Sequence, residues 1–277
     1  METIRSENLF DVSGQVAVIT GGGGVLCSAI AHGLASSGVS TAIVDLKEDL
    51  AVMAADEINA AGGTARAYQC DVLSRENLVS TANRIVRDFG RVDILINGAG
   101  GNKPQATTGP DLSFFDIPPE AVWWVFNLNL VGTFLPCQIF GRLMADQGSG
   151  NIVNISSMNA FRPLTRIPAY SAAKSAVSNF TMWLAVHIAK EYTPEIRVNA
   201  IAPGFFLTEQ NRYLLTTEEN GALTSRGQAI IDHTPQKRFG APEDLIGTVL
   251  WLVSPASKFV TGVVVPIDGG FSAFSGV

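Results

Sequence analysis

Short runs of apolar residues alternate with longer amphipathic segments along most of the chain. The apolar runs predict buried strands at 15–20, 40–44, 65–70, 92–96, 148–157, 196–201 and 263–267. Apolar residues at helical spacing predict helices between them, up to Ser37, at 46–61, 74–89, 119–147 and 170–192, and from Pro242 onward. Continuous apolar strands that alternate with helices are typical of a parallel sheet covered on both faces. The pattern therefore predicts an α/β fold with a doubly wound sheet of about seven parallel strands.

We find no change of composition and no linker that would divide the chain, so we predict one domain over residues 1–277. Two segments interrupt the alternation, a loop at 101–118 and a mostly polar insertion at 205–237. Both follow the carboxyl ends of strands, where ligands bind in doubly wound sheets. Long loops in compact domains are often functional, although some are merely tolerated. We therefore predict that the insertion at 205–237 covers the substrate.

The composition argues against several classes of protein. With 19 basic and 25 acidic residues the net charge is −6, which disfavours general binding of nucleic acid or of anionic membranes. We identify no secretory signal at the start and no apolar stretch of the roughly 18 residues needed to span a bilayer. Three scattered cysteines favour neither a disulfide framework nor a metal site. These features predict a cytoplasmic protein without a bound metal.

A run of glycines joins the first predicted strand to the first predicted helix, in the string ITGGGGVLCSAIA at 19–31. Glycines at such a turn let the backbone approach a pyrophosphate, whose charge is stabilised at a helix N-terminus. A glycine run alone is often only a flexible turn, so the signal depends on its position between a buried strand and an apolar helix. The dinucleotide contacts expected here are Gly21, Gly23, Gly24, Val25 and Leu26.

Asp45 ends the second predicted strand, where a carboxylate can accept the ribose hydroxyls of NAD and repel the 2′-phosphate of NADP. The alternative for Asp45 is a solvated turn residue, and the nearby Lys47 leaves some use of NADP open. We predict NAD as the cofactor. Polar and small residues after the later strands extend the expected cofactor contacts to Leu46, Asp71, Val72, Asn97, Gly98 and Ala99.

Tyr170 and Lys174 lie one turn apart on the same face of a predicted helix. A free tyrosine has a pKa of about 10, and a neighbouring ammonium favours the phenolate, so the pair could supply a base near neutral pH. The same spacing occurs by chance in many surface helices. Its significance comes from the surrounding motifs, because NISS ends in Ser157 and NGAG follows an earlier strand.

Together these motifs resemble the short-chain dehydrogenase/reductase family over essentially the whole chain. YSAAK, NGAG and NISS are specific elements of that family, and NLVGTF and the DGG at 268–270 agree with it. The resemblance implies a Rossmann-like fold, an NAD-dependent enzyme acting on CH–OH groups, and a homotetramer. The catalytic residues it implies are Asn129, Ser157, Tyr170 and Lys174. The cofactor contacts it implies are Tyr170, Lys174, Pro203, Gly204, Phe206 and Thr208.

The glycine turn departs from the family pattern. That turn usually reads T-G-x-x-x-G-x-G, and this chain has Val25 and Cys27 where the second and third glycines belong. Cβ atoms at these two positions narrow the space between the turn, the cofactor and the helix. We expect Gly22, Gly23 and Gly24 to reshape the turn in compensation.

Within the family, the strings GGGGVLCSAI, GFFLTEQNR and GGFSAFSGV resemble the D-mannonate oxidoreductases, also called fructuronate reductases. This resemblance implies that the enzyme interconverts a secondary alcohol and a ketone of a sugar acid, D-mannonate and D-fructuronate. Gluconate, polyol and other sugar dehydrogenases share much of the same frame and are the alternative. A cofactor-binding regulator without catalysis is a further alternative, which the intact catalytic set disfavours.

A sugar-acid substrate brings a carboxylate that a cation or several donors must receive. Arg162 lies in the loop between Ser157 and Tyr170, and its planar guanidinium can bind a carboxylate with two parallel hydrogen bonds. The alternative for Arg162 is a surface or subunit-contact role, with Lys103 and Arg212 as other cations of the long loops. The expected substrate contacts are Asn102, Ser157, Asn159, Arg162 and Gln210.

Overall fold

We describe a computed structural model of the protein that covers residues 9–207, 212, 215–217 and 221–276. Its strands are β1 (Val16–Thr20), β2 (Ser40–Asp45), β3 (Thr64–Gln69), β4 (Ile94–Asn97), β5 (Gly150–Ile155), β6 (Ile196–Pro203) and β7 (Val264–Ile267). They form one sheet in the order β3-β2-β1-β4-β5-β6-β7, and every neighbouring pair is parallel. The predicted doubly wound α/β fold is confirmed.

Helices cover both faces of this sheet. They are α1 (Val25–Ser36), α2 (Glu48–Ala60), α3 (Arg75–Phe89), α4 (Pro119–Phe126), α5 (Gly132–Gln147), α6 (Pro168–Glu191), α7 (Ser225–His233) and α8 (Ile246–Val253). On one face, α1, α2 and α8 bury side chains such as Ile30 and Val249. On the other face, α3, α5 and α6 bury side chains such as Leu78 and Phe140. The central strands β1 and β4 are buried throughout, which explains their continuous apolar runs.

The helix expected at 119–147 is interrupted. A π-helical turn at Asn127–Val131, which contains Asn129, separates α4 from α5. The predicted helical region at 119–147 is confirmed, but the apolar spacing did not reveal the one widened turn within it. By length and composition Pro119–Gln147 could cross a membrane, which we did not identify from the sequence. In the structure this stretch packs against α3, α6 and β5, so it is a helix of the domain.

The insertion at 205–237 contains a helix that its polar pattern did not predict. Thr224 caps this helix, α7, because its hydroxyl oxygen accepts a hydrogen bond from the backbone N–H of Gly227 at 3.0 Å. The last residue of α7, His233, places its ring 4.6 Å from that of Phe271 and 5.0 Å from that of Phe274. The carboxyl-terminal segment therefore packs against the end of α7. Thr208 and Gln210, which we expected to contact ligands, lie outside the described residues.

Candidate active site

The predicted site residues gather at the carboxyl ends of β1, β4, β5 and β6. The chain order of the strands reverses between β1 and β4, which lie side by side with Thr20 opposite Asn97. Helices leave the sheet in opposite directions at such a point, so a crevice opens there. The site therefore lies where doubly wound sheets bind their ligands.

The glycine turn between β1 and α1 touches the end of β4. Gly21 has a positive φ of 62°, and a Cβ built on it would lie 2.8 Å from the backbone nitrogen of Ala99. The Thr20 hydroxyl accepts hydrogen bonds from Gly98 N at 3.2 Å and Ala99 N at 3.3 Å. This close approach of two backbones requires glycine at position 21. Val25, the first residue of α1, is exposed at the rim of the crevice.

Cys27 explains how the chain tolerates its departure from the family's glycine pattern. The Cys27 side chain is buried, and a Cβ added to Gly98 would overlap its sulfur. The sulfur fits there because Gly98, part of the NGAG motif, has no side chain. Burial raises the pKa of the Cys27 thiol to about 12, so it remains a neutral packing group. Gly23 packs against the backbone of Leu50, in agreement with a turn reshaped by glycines.

Asp45 at the end of β2 faces the same turn. One oxygen of its carboxylate accepts a hydrogen bond from Gly23 N at 3.1 Å, and the other accepts one from Lys47 N at 3.0 Å. Leu46 beside it is exposed. Asp71 follows β3, and its carboxylate caps a turn by accepting from Leu73 N at 2.9 Å, while Val72 is buried. The carboxylates of Asp45 and Asp71 are thus held at successive strand ends.

The amide nitrogen of the Asn97 side chain makes its hydrogen bonds inside the protein, to residues of β5 and α5. Its amide nitrogen donates to Asn154 Oδ1 at 2.9 Å and to the Cys137 sulfur at 3.1 Å. Asn154 in turn donates to the Thr181 hydroxyl of α6 at 2.9 Å. The Asn97 side-chain oxygen is buried without a hydrogen-bond partner among the described residues. The network ties β4 and β5 to α5 and α6.

The side chain of Asn129, in the π-helical turn, contacts the backbone of the residues that follow β4. The Asn129 amide donates to Gly101 O at 2.7 Å and Val125 O at 2.8 Å, and its oxygen accepts from Gly101 N at 3.1 Å. A Cβ on Gly100 would lie 2.8 Å from Asn129 Oδ1 and 3.2 Å from Lys174 Nζ. Asn129, Gly100 and Lys174 are therefore in close proximity. Single π turns often occur at functional sites.

Tyr170 and Lys174 project from the start of α6 into the same region. Lys174 Nζ donates to Ile155 O at 2.7 Å and lies 5.6 Å from the centre of the Tyr170 ring. Only 4% of Lys174 is exposed, although the side chain carries a charge. Burial lowers its pKa to about 8, since a charged ammonium is penalised away from water.

The pKa of Tyr170 moves in the direction opposite to our expectation. We predicted from the sequence that Lys174 would lower it. In the structure, burial raises the Tyr170 pKa, and a hydrogen bond with Ser157 lowers it by less. The prediction is wrong because burial disfavours the phenolate more than the neighbouring groups favour it. The phenol of Tyr170 is thus held in its protonated form.

Ser157 and Asn159 form a second buried unit at the end of β5. The Ser157 hydroxyl oxygen accepts hydrogen bonds from Asn159 N at 3.3 Å and Asn159 Nδ2 at 3.2 Å. The Asn159 oxygen accepts from Leu164 N at 3.2 Å and from the Ser171 hydroxyl at 3.4 Å. The Asn159 side chain is thus hydrogen-bonded to three protein groups, and its expected contact with the substrate stays a prediction.

The remaining expected substrate contacts are arranged around this centre. Arg162 is exposed, and its Nε donates to Ser272 O at 3.2 Å, which links the loop before α6 to the carboxyl-terminal segment. Asn102 donates to the Thr107 hydroxyl at 2.8 Å. Lys103 Nζ lies 5.0 Å from the centre of the Trp124 ring, in a cation–π contact. Within the part of the chain that the structure describes, the Asn102 oxygen is buried without a hydrogen-bond partner, and the expected contact of Asn102 with the substrate stays a prediction.

Two arginines that we did not consider from the sequence lie near each other. Arg166 precedes α6, and its carbonyl oxygen accepts from Thr108 N at 2.9 Å. Arg226 is partly buried in the first turn of α7. Burial lowers the pKa of Arg226, and the positive charge of Arg166 lowers it further. No sequence pattern indicates this pair, because the two residues belong to separate loops.

The end of β6 closes the site on the side of β7. Gly204 N donates to Ile267 O at 2.9 Å, and a Cβ at Gly204 would lie 2.6 Å from the Cβ of Asp268. Pro203 pairs with Ile267 in the sheet. Phe206 is buried, with its backbone bridged to Gly240. Among the described residues, no three His, Cys, Asp or Glu side chains lie close enough to hold a metal ion.

Comparison with known proteins agrees with this arrangement. The short chain dehydrogenase family matches residues 15–219. The uncharacterized oxidoreductase UxuB of Bacillus subtilis strain 168 is 51% identical over 276 residues, which cover 96% of this chain and 98% of UxuB. The 2-dehydro-3-deoxy-D-gluconate 5-dehydrogenase of Dickeya dadantii strain 3937 is 34% identical over 271 residues, with 96% and 98% covered.

A solved structure is similar over the same length. It is a Haemophilus influenzae protein, provisionally named a D-mannonate oxidoreductase, with bound NAD. It is 49% identical, has a TM-score of 0.90, and covers 96% of this chain and 98% of its own. From the family match over most of its length and from these relatives, the chain belongs to the short-chain dehydrogenase family.

Proposed function

We propose that the protein is an NAD(H)-dependent oxidoreductase that interconverts D-mannonate and D-fructuronate. The observation that carries this proposal is the full-length similarity, at 49% identity, to the NAD-bound protein provisionally named a D-mannonate oxidoreductase. The relative at 51% identity is also named an oxidoreductase. Membership of the short-chain dehydrogenase family supports the oxidoreductase chemistry. The similarity to the NAD-bound Haemophilus influenzae protein supports the choice of substrate.

The crevice fits a dinucleotide. Gly21 to Gly24 bring backbone to the start of α1, where phosphates are stabilised. The carboxylate of Asp45 would accept the adenosine ribose hydroxyls, and its charge would repel the 2′-phosphate of NADP. Lys174 Nζ donates one hydrogen bond to the Ile155 carbonyl oxygen. Because an ammonium has three donors, Lys174 can also donate to the second ribose of the dinucleotide. Asp71, Val72, Ala99 and Gly204 would line the remaining path.

The catalytic residues suit proton transfer to and from a substrate oxygen. NAD(H), when bound, exchanges a hydride with the carbinol carbon. In reduction, Tyr170 gives its phenolic proton to the ketone oxygen, and Ser157 donates a hydrogen bond to the same oxygen. In oxidation, the Tyr170 phenolate takes the hydroxyl proton. Lys174 lies beside the ring that changes charge, and Asn129 holds the adjacent backbone so that a water can connect Lys174 to solvent.

The substrate carboxylate requires cations at the mouth of the site. We propose Arg162 as its receiver, since it lies between Ser157 and Tyr170 on a loop tied to the carboxyl-terminal segment. The pair Arg166 and Arg226 is the competing receiver, because two neighbouring cations together attract an anion. Arg226 belongs to the insertion at 205–237, which we propose covers the bound substrate. Gln210 and Thr208 belong to that insertion.

We also propose a homotetramer in the cytoplasm. An apolar face on α5 and α6 exposes Phe134, Trp183, Val186 and Tyr192 in the single chain. Exposed apolar patches of this kind mark interaction surfaces. The same face on a second copy of the chain would cover this one in a symmetric oligomer. The three cysteines are free and buried, in accord with a reducing compartment.

A related sugar-acid, gluconate or polyol dehydrogenase is the second candidate. It is favoured by the 34% identity to a 2-dehydro-3-deoxy-D-gluconate 5-dehydrogenase. The test is the absorbance of NADH with a panel of purified sugar acids, polyols and ketoses. We expect the highest kcat/KM with D-fructuronate. Higher efficiency with a gluconate derivative or a polyol would establish the second candidate, and binding of NADH without turnover of any member would indicate a regulator.

A further inference from the structure

The orientation of the Asn159 amide is determined by its neighbours. Leu164 N lies 3.2 Å from Asn159 Oδ1, and a backbone N–H can only donate. The atom that faces Leu164 must therefore be the amide oxygen, so the amide nitrogen faces Ser157. The Ser171 hydroxyl donates to the same oxygen at 3.4 Å. Asn159 is thus held from two sides, one of them the first turn of α6.

This orientation uses both acceptor positions of the Ser157 hydroxyl. A hydroxyl oxygen has two lone pairs and one hydrogen. Asn159 N at 3.3 Å and Asn159 Nδ2 at 3.2 Å supply two donors to Ser157 Oγ. The remaining valence is the hydroxyl hydrogen, which must point away from Asn159. That hydrogen is the one valence of Ser157 left for Tyr170, whose pKa a hydrogen bond with Ser157 lowers.

From this geometry we infer that Asn159 is a positioning residue, which fixes Ser157 as a hydrogen-bond donor to the substrate oxygen. The inference rests on the proposed function, in which Ser157 binds the oxygen that Tyr170 protonates. Without Asn159, the Ser157 hydroxyl could rotate and accept a hydrogen bond instead. A donor prepared in advance requires no reorganisation when negative charge develops on that oxygen.

Asn159→Asp separates this role from mere packing. Aspartate keeps the shape and keeps an acceptor for Leu164 N and Ser171, but it presents a carboxylate oxygen to Ser157. The Ser157 hydroxyl then turns to donate to that oxygen. We expect kcat for ketone reduction at pH 8 to fall about 10²-fold, with KM changed by less than about threefold, since one transition-state donor is lost.

The pH profile of the same variant supplies the decisive readout. Protonation of the introduced carboxylate restores a donor toward Ser157, so the ratio of variant to wild-type kcat should rise as the pH falls from 8 to 5.5. Asn159→Ala has no proton to regain, and its ratio should stay low and flat. Asn77→Asp makes the same chemical change on the exposed surface of α3, and its ratio should stay near one.

The experiment uses whichever sugar acid the wild-type enzyme reduces with NADH. A wild type that reduces none overturns the proposed function by itself, before any variant is compared. An active wild type with an Asn159→Asp ratio that does not change with pH overturns the positioning role. A raised KM with unchanged kcat overturns it too, because that split indicates direct binding of substrate by Asn159. Low kcat with recovery at low pH supports the inference.

Discussion

The sulfur of Cys27 occupies the space that a side chain at position 98 would require. Cys27 stands where the family pattern has glycine, and Gly98 lies opposite it at the end of β4. The two positions therefore share one small volume between helix and sheet. Because protein interiors are close-packed, a larger side chain at either position must displace the other residue.

The first prediction concerns this pair. Gly98→Ala should lower the free energy of unfolding by about 1–3 kcal/mol and weaken NAD binding, because the new methyl overlaps Cys27 and forces the turn outward. The measurement is chemical denaturation together with titration of the protein with NAD.

Cys27→Gly in the Gly98→Ala background serves as the control. It should recover part of the lost stability, and only part, since the Thr20 carbonyl oxygen still lies 2.8 Å from the added Cβ. Equal losses for Gly98→Ala with and without Cys27 would show that the two positions do not interact.

The second prediction concerns pH. Burial raises the Tyr170 pKa, so the phenolate needed for oxidation forms only as the pH rises above the usual range for tyrosine. We expect kcat for alcohol oxidation to increase from pH 7 to pH 10, while ketone reduction, which needs the phenol, is fastest at neutral or lower pH. Steady-state rates in both directions check this. An oxidation rate independent of pH would argue against Tyr170 as the base.

The third prediction concerns the stability cost of Lys174. Its pKa falls from an ordinary value of 10.5 to about 8, so the folded chain holds this proton less tightly than the unfolded chain. Below pH 8 the buried charge lowers stability by about 3 kcal/mol, and the penalty disappears between pH 8 and 10.5.

Lys174→Met should therefore unfold at higher denaturant concentration than the wild type at pH 7, while losing turnover. The difference in unfolding free energy should shrink by pH 10. Denaturation curves at the two pH values are the measurement. A variant that is less stable than the wild type at pH 7 would refute the assigned cost.

The fourth prediction concerns the substrate carboxylate. Arg162→Ala should raise KM for D-fructuronate by about tenfold or more, and should change KM for a neutral ketose far less, because only the acid loses a charged partner. Arg226→Ala is the matched variant. If Arg226→Ala alone has the acid-selective effect, the Arg166 and Arg226 pair is the receiver. Equal effects on acid and ketose would remove Arg162 from the carboxylate site.

The sequence predicted the sheet well because its central strands β1 and β4 are buried on both faces. Continuous apolar runs such as VAVIT require no knowledge of tertiary contacts, and each predicted strand lies within a few residues of the observed one. The π-helical turn around Asn129 could not be predicted, because it changes one hydrogen-bond step without changing the apolar spacing. Helix α7 was missed since its residues are mostly polar.

Side-chain roles were harder to predict than backbone positions. Asn159 was expected to contact the substrate because it lies near Arg162, and the direction of its amide, set by the backbone N–H of Leu164, is not visible in the sequence. The direction of the Tyr170 pKa depends on burial, which the spacing of Tyr170 and Lys174 does not reveal. Residue types can thus be assigned to a site from sequence motifs, whereas hydrogen-bond direction and desolvation require the three-dimensional contacts.

The most direct test of the central claim compares the wild-type enzyme with Tyr170→Phe, using D-fructuronate and NADH. Phenylalanine keeps the ring and removes the hydroxyl that delivers the proton, so NADH affinity should be retained while kcat falls about 10²-fold or more. We expect rapid loss of NADH absorbance with the wild type and almost none with the variant. No turnover of D-fructuronate by the wild type, or near-equal rates for the two proteins, would contradict it.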